Sequence, residues 1–113
     1  MTFKTPYEEY NIAARGKEIS EKCQANGWNV DAPLVESLLI YQDLGVRLGD
    51  FMMGILTNDL ARAVNHADNM NRYRIADIYC CIQNHLPHDC HGSKKAVEDW
   101  INRHVKGVKD EFA

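Results

Sequence analysis

An all-α domain of five or six short helices, spanning residues 1–113 as a single unit, is what this sequence predicts. Three observations predict it. Apolar residues recur at intervals of three and four instead of alternating. Helix-capping residues punctuate the chain, twice with a proline in the first turn. No stretch shows sustained strand alternation, and there is no internal repeat or low-complexity tract.

The elements follow in order. Thr5-Pro6-Tyr7-Glu8 reads as a helix start, with Thr5 as N-cap, Pro6 in the first helical position and Glu8 completing a capping box. Ile12, Gly16, Ile19 and Cys23 then form one face, with Gly16 inviting the close approach of another backbone, and Asn26-Gly27 stops the helix. After a linker at Trp28-Asn29-Val30, Asp31 caps a second helix that carries Pro33 in its first turn. Leu34, Val35, Leu38, Leu39 and Tyr41 make that helix apolar on more than one side, which marks it as central. Gly45 reads as its C-cap, with Val46 to Gly49 as a connection; a helix continuing through Gly45 would cost only about 1 kcal/mol relative to alanine.

Asp50 to Leu56 reads as a short apolar helix. Thr57 or Asn58 caps the next one, with Asp59 at the positive end of its dipole and Leu60, Ala63, Val64 and Ala67 as a narrow buried stripe. Asp68-Asn69 renews the capping signal, and Ile75, Ile78, Tyr79, Ile82 and Leu86 trace a long amphipathic helix that Pro87 ends. A loop from His88 to Gly92 leads to Ser93, the N-cap of a last helix. There Val97, Trp100, Ile101, His104, Val105 and Val108 follow the helical period without a miss, and Gly107 frays the end.

Composition narrows the functional classes. A length of 113 residues is enough for one core, and 45% hydrophobic against 26% charged residues is an ordinary globular balance. Thirteen basic and sixteen acidic side chains leave a formal net charge of −3, which argues against direct, sequence-independent contact with nucleic acid. Met1 to Pro6 contains no apolar h-region of the kind a signal peptide needs. The longest apolar stretch, Leu34 to Leu56, is broken by Glu36, Asp43, Arg47 and Asp50, so no membrane span is expected. Reduced thiols in a cytoplasm are the expected state of the four cysteines.

One segment looks like chemistry. Residues 80–93 hold three of the four cysteines and three of the five histidines. Zinc takes thiolate and imidazole ligands, commonly four. Cys81 and His85 lie one helical turn apart and could share an ion, with His85, His88, Cys90 and His91 as the fuller ligand set. The spacing matches no standard zinc pattern, however, and each residue has a structural reading: the thiols as small hydrophobes, the histidines as partners for helix-end carbonyls. Cys90 beside His91, close to the Ser93 helix start, suggests a nucleophile with a lowered thiol pKa, but no orienting group or oxyanion hole can be assigned to it.

Asp59 and Asp68 are read as helix caps, with Arg62 pairing to Asp59 three residues earlier. The basic residues lie mostly on polar faces. The helix starting Ser93-Lys94-Lys95 is the sole candidate for a recognition helix, and its wide apolar stripe and the acidic chain speak against that role. No residue is assigned as catalytic, cofactor-binding or metal-binding, and no cofactor is expected.

Several short motifs carry a resemblance. Gly49-Asp50-Phe51, Leu56-Thr57-Asn58-Asp59-Leu60, Ala67-Asp68, Pro87, Cys90, Gly92-Ser93 and Trp100-Ile101 together resemble a pattern of small bacteriophage-encoded helical proteins of unassigned function. The match runs from about Leu38 to Ile101. It implies context, namely a phage genome and expression in the host bacterial cytoplasm, and no particular activity. In that pattern tryptophan precedes Gly-Ser where this chain has His91, and the other histidines fall outside it. The resemblance therefore implies no metal site, and it leaves Cys90 as packing for the loop that seats the last helix.

The expected function is that of a non-enzymatic phage interaction protein binding a host protein and inhibiting a host defence or regulatory system. The alternative is a small zinc-stabilised helical module contacting nucleic acid. Trp28, Arg72, Tyr73 and Arg74 are the expected contact residues, because interfaces favour exposed aromatics and arginine. The Leu34–Tyr41 helix and the Phe51-Met52-Met53 cluster read equally as core or as a homodimer face.

Overall fold

Each helix begins or ends where a specific side chain or backbone geometry forces it to. The computed structural model describes the backbone of residues 6–112 and the side chains of residues 11–105. Among them are six α-helices and no strand: α1 (Pro6–Ala25), α2 (Ala32–Leu44), α3 (Asp50–Leu56), α4 (Leu60–His66), α5 (Ile75–His85) and α6 (Lys94–Phe112). Two 3-10 turns, Asn71–Tyr73 and His88–Cys90, precede and follow α5. No described helix is long and apolar enough to cross a membrane. The expected Thr5–Glu8 cap and Val108 fall outside the described side chains.

Helix α1 closes as a Schellman motif. The N–H of Gly27 (φ +84°) donates to the Gln24 carbonyl and that of Trp28 to the Cys23 carbonyl. Asp31 then caps α2, its carboxylate accepting the Leu34 N–H at 2.9 Å. Burial works against that carboxylate's charge, but the Leu34 N–H and the Arg74 guanidinium together hold it below the usual range. As its two-sided apolar pattern predicts, α2 is central. Val35, Leu38, Leu39 and Tyr41 are buried in a core shared with Met53, Leu56, Ile78, Ile82 and Val97. Each such side chain contributes about 1.5–3 kcal/mol relative to exposure. Gly16 brings α1 onto α2: a Cβ there would lie 2.7 Å from Cγ of Glu36.

Gly45 does end α2. It adopts a left-handed conformation (φ +68°) and donates its N–H to the Tyr41 carbonyl at 2.8 Å. It also lies directly under His104, whose side chain a Cβ at this position would meet at 2.6–2.9 Å. The turn is held to α6 by two further ties. Trp100 Nε1 donates to the Gln42 carbonyl at 3.1 Å, and Arg47 donates to both carboxylate oxygens of Glu98 at 2.7 and 2.9 Å. Phe51 and Met52 pack against the core and Met53 is inside it, so this cluster belongs to the core.

Five sequence expectations change around α4 and the chain end. The N-cap of α4 is Asp59, accepting the Arg62 N–H at 3.0 Å, and not Thr57 or Asn58. Thr57 instead donates back to the Met53 carbonyl, while Asn58 takes a left-handed conformation (φ +60°) that asparagine tolerates. Arg62 accordingly pairs not with Asp59 but with Asp50, at 2.6 Å, and this ion pair holds the Asp50 carboxyl below its usual range.

The expected buried stripe of α4 is reduced to Ala63. Leu60 is 66% and Val64 48% exposed, and Ala67 is half-buried. The cause is Gly54, where a Cβ would stand 2.5 Å from the Ala63 nitrogen. α4 lies so close to α3 that only a small residue fits the contact, and its larger apolar side chains turn outward.

The amphipathic segment after Asp68 is also shorter than its pattern suggests. Asp68 caps the 3-10 turn by accepting the Asn71 N–H at 2.7 Å, and α5 starts only at Ile75. Tyr79 is 42% exposed. Finally, α6 continues through Gly107 to Phe112, since one glycine costs about 1 kcal/mol, which a long helix absorbs.

Replacing Gly45 by alanine forces an L-residue into the left-handed region against His104. A loss of about 1–3 kcal/mol is expected. Thermal or urea unfolding measures it, and an unchanged stability would refute the contact.

Candidate functional site: the Cys/His turn and an apolar groove

Two places on this fold concentrate chemistry: the turn that follows α5, and a groove between α4 and α5. The turn is built from Pro87 onward. Leu86, extended at the C-terminal end of α5, is followed by Pro87, which cannot continue a helix, and a 3-10 turn leads to Ser93. Ser93 caps α6 by accepting the Ala96 N–H at 3.0 Å, as its sequence position predicts.

The Cys/His residues of this turn do not converge. Cys81 and His85 share a helix face, but that face is turned toward α1: Cys81 is buried in the core with Cys23, and His85 feels the charge of Lys22. Cys90 is buried and donates its thiol to the Pro87 carbonyl at 3.2 Å. The His88 and His91 rings are 5.8 Å apart, centre to centre. Among the described residues, no three histidine, cysteine or acidic side chains stand together in a way that could hold a metal ion. His85, His88, Cys90 and His91 therefore do not assemble as the ligand set that their clustering in the sequence suggests.

The thiols are also tuned away from reactivity. Burial pushes Cys81 and Cys23 upward, with Cys81 the more affected, and raises Cys90 to about 11. A lowered thiol pKa at the Ser93 helix start is thus not realised. Cys90 is desolvated in the core and bonded to the preceding turn, where a thiolate has no counter-charge.

What the turn does is tie elements together. The buried Tyr41 hydroxyl donates to the Cys90 carbonyl at 2.7 Å, and burial holds the phenol well above its usual range, so it stays a donor. The Gly92 N–H donates to the Leu56 carbonyl at 2.7 Å, and the Gly92 carbonyl accepts from Asn58 Nδ2 at 2.9 Å. His91 is buried beside these bonds, and its Nε2 has no partner. Burial lowers its pKa, the His88 ring adds to this, and a hydrogen bond with the Leu86 backbone partly opposes it.

The groove is the larger feature. It has a volume of about 540 Å³, inside the range of binding pockets. Gly54 and Ile55 of α3 and Ala63 of α4 are its buried lining, and Leu60 stands at the α4 side. Ile75, Ala76 and Tyr79 line it from α5, and Arg72 and Tyr73 from the 3-10 turn. Tyr73 is 82% exposed.

The structure divides the contact residues expected from sequence. Arg72 and Tyr73 are at the groove. Arg74 is buried, donating to Asp31 Oδ2 at 3.0 Å and to Asn71 Oδ1 at 2.8 Å, so it is a structural clamp. Trp28 packs against the core. The signal for this groove was present in the sequence as the apolar residues Leu60 and Tyr79, but it reads there as core.

No protein-family model, curated protein or solved structure matches this chain.

His91 gives a pH dependence of definite sign. Its folded pKa lies below the ordinary value near 6.5, so its share of stability is complete above that value and is lost as pH falls from there through the folded pKa. The melting temperature should fall across that window, and the His91→Gln variant should show a shallower fall. Equal slopes for the two proteins would contradict the burial of a neutral ring.

Proposed function

We propose that this chain is a non-enzymatic interaction protein of a bacteriophage, acting in the host bacterial cytoplasm by binding a host protein and so inhibiting a defence or regulatory system. One observation carries the reading. The groove of about 540 Å³ is rimmed by Leu60, Tyr73 and Tyr79, at 66%, 82% and 42% exposure, so that apolar and aromatic surface is left open around one concavity. Tyrosine and arginine are among the residues that dominate binding energy in protein interfaces.

Other features agree with a protein partner. The net charge of −3 disfavours the phosphate contacts that dominate nucleic-acid affinity. Lys95, at the start of α6, is engaged by Asp99 at 2.6 Å. The phage context rests on the resemblance of the Gly-x-Phe, Leu-x-Asn-Asp-Leu and Gly-Ser motifs described above.

Affinity capture from bacterial lysate, comparing the wild type with Tyr73→Ala and Leu60→Asp, tests this reading. Both substitutions are on exposed side chains, so circular dichroism should show the fold retained. Recovery of the specific host protein should fall at least about tenfold in each variant. Equal recovery by all three proteins, or turnover of a small-molecule substrate by the wild type, would overturn it.

A further inference from the structure

We infer that the partner element taken by this groove is an amphipathic α-helix whose apolar stripe fills the slot between α4 and α5 and whose flanking carboxylate is gripped by Arg72. This rests on the reading of the chain as an interaction protein and names the chemistry of its partner. Three features of the slot lead to it.

The first is shape. α4 and α5 both pack on α3 and make little contact with one another. A third helix laid between them completes the kind of packing in which ridges of one helix fill grooves of its neighbours. Ala63 and Ala76 line the slot with small side chains, which let a partner backbone come close, while Ile55 and Ile75 offer apolar contact below. No strand edge exists among the described residues for an extended peptide to pair with.

The second is extent. Val64, next in sequence to the groove-lining Ala63, and Met70, two residues before Arg72, are also exposed, at 48% and 65%. A small ligand confined to the groove lining leaves both residues wet, whereas an element longer than the groove has apolar surface near it in the chain to use.

The third is charge. Among the described residues, Arg15, Arg47, Arg62 and Arg74 each hold a carboxylate, and Arg103 lies over the Trp100 ring at 5.0 Å. Arg72 alone of the six arginines has no such partner there, and it is the one charged residue lining the groove. Its backbone is not loose: Asp68 accepts the Asn71 N–H, and Arg74 clamps the same turn to the α2 cap. A guanidinium carried on a held backbone beside apolar walls selects a carboxylate, which it can meet with two parallel hydrogen bonds.

Selection from a displayed library of helical peptides tests the inference. The peptides carry a fixed apolar stripe at i, i+3, i+4 and i+7 with randomised flanking positions, and binders to the Leu60→Glu variant are removed. Peptides selected on the wild type should be enriched in Asp or Glu at one flanking position. A synthetic copy should lose at least about tenfold in affinity on Arg72→Gln, and selection on Arg72→Glu should switch that position to Lys or Arg.

Selected helices with no charge preference would overturn the role of Arg72 while leaving the interaction reading intact. Failure to select any helical peptide that binds the wild type and not Leu60→Glu would overturn the helical partner, again leaving the interaction reading intact. Self-association of the wild type that Leu60→Glu abolishes would replace the partner by a second copy of this chain. The interaction reading itself fails only in the separate comparison of Tyr73→Ala and Leu60→Asp by lysate capture.

Discussion

The hydrogen bond from the Tyr41 hydroxyl to the Cys90 carbonyl, at 2.7 Å and out of contact with water, is the constraint on which the arrangement of the other helices depends. A backbone carbonyl buried in a core must find a donor, and leaving it without one costs about 1–3 kcal/mol. By placing that donor on the central helix, the chain fixes where the turn after α5 must lie. The Gly92 N–H then reaches the Leu56 carbonyl at the end of α3, and Ser93 starts α6 from a defined position. Central helix, preceding turn and final helix are thus tied at one point. The Trp100–Gln42 bond and the Arg47–Glu98 pair tie the other end of α2 to α6.

The same economy of contact produces the groove. Gly54 draws α4 against α3 until only Ala63 fits between them, and the price is that Leu60 and Val64 cannot turn inward. Because Asn58 is committed to the Gly92 carbonyl, the α3–α4 turn is also fixed to the Cys/His turn. An apolar surface on so short a helix is therefore held open by a rigid frame, which limits the entropy a partner must remove on binding.

Much of this was legible in the sequence because caps act locally. Asp31, Ser93 and Gly45 announce helix ends through their own side chains or φ angles, and the structure uses each as its neighbours predict. The errors fall where the answer depends on residues far away in the chain. Leu60 and Val64 keep helical spacing whether they face a core or a partner, and only the approach of Gly54 decides which. Arg72 and Arg74 are indistinguishable by type. The Asp31 carboxylate, more than forty residues earlier, makes one of them structural and leaves the other at the groove. Likewise the clustering of cysteine and histidine in residues 80–93 is real in sequence, but a helix end and a turn send those side chains toward Cys23, Lys22 and Pro87. Residue types alone do not carry those directions.

Amide hydrogen exchange at Gly92 tests the tying role of the turn most directly. If Tyr41 and Leu56 lock it to the core, the Gly92 amide exchanges only through global unfolding, at the same free energy as the most protected amides of α2. Exchange of Gly92 through a local opening, far faster than the α2 core under the same native conditions, would contradict the account and return the turn to the class of mobile, ligand-ready loops.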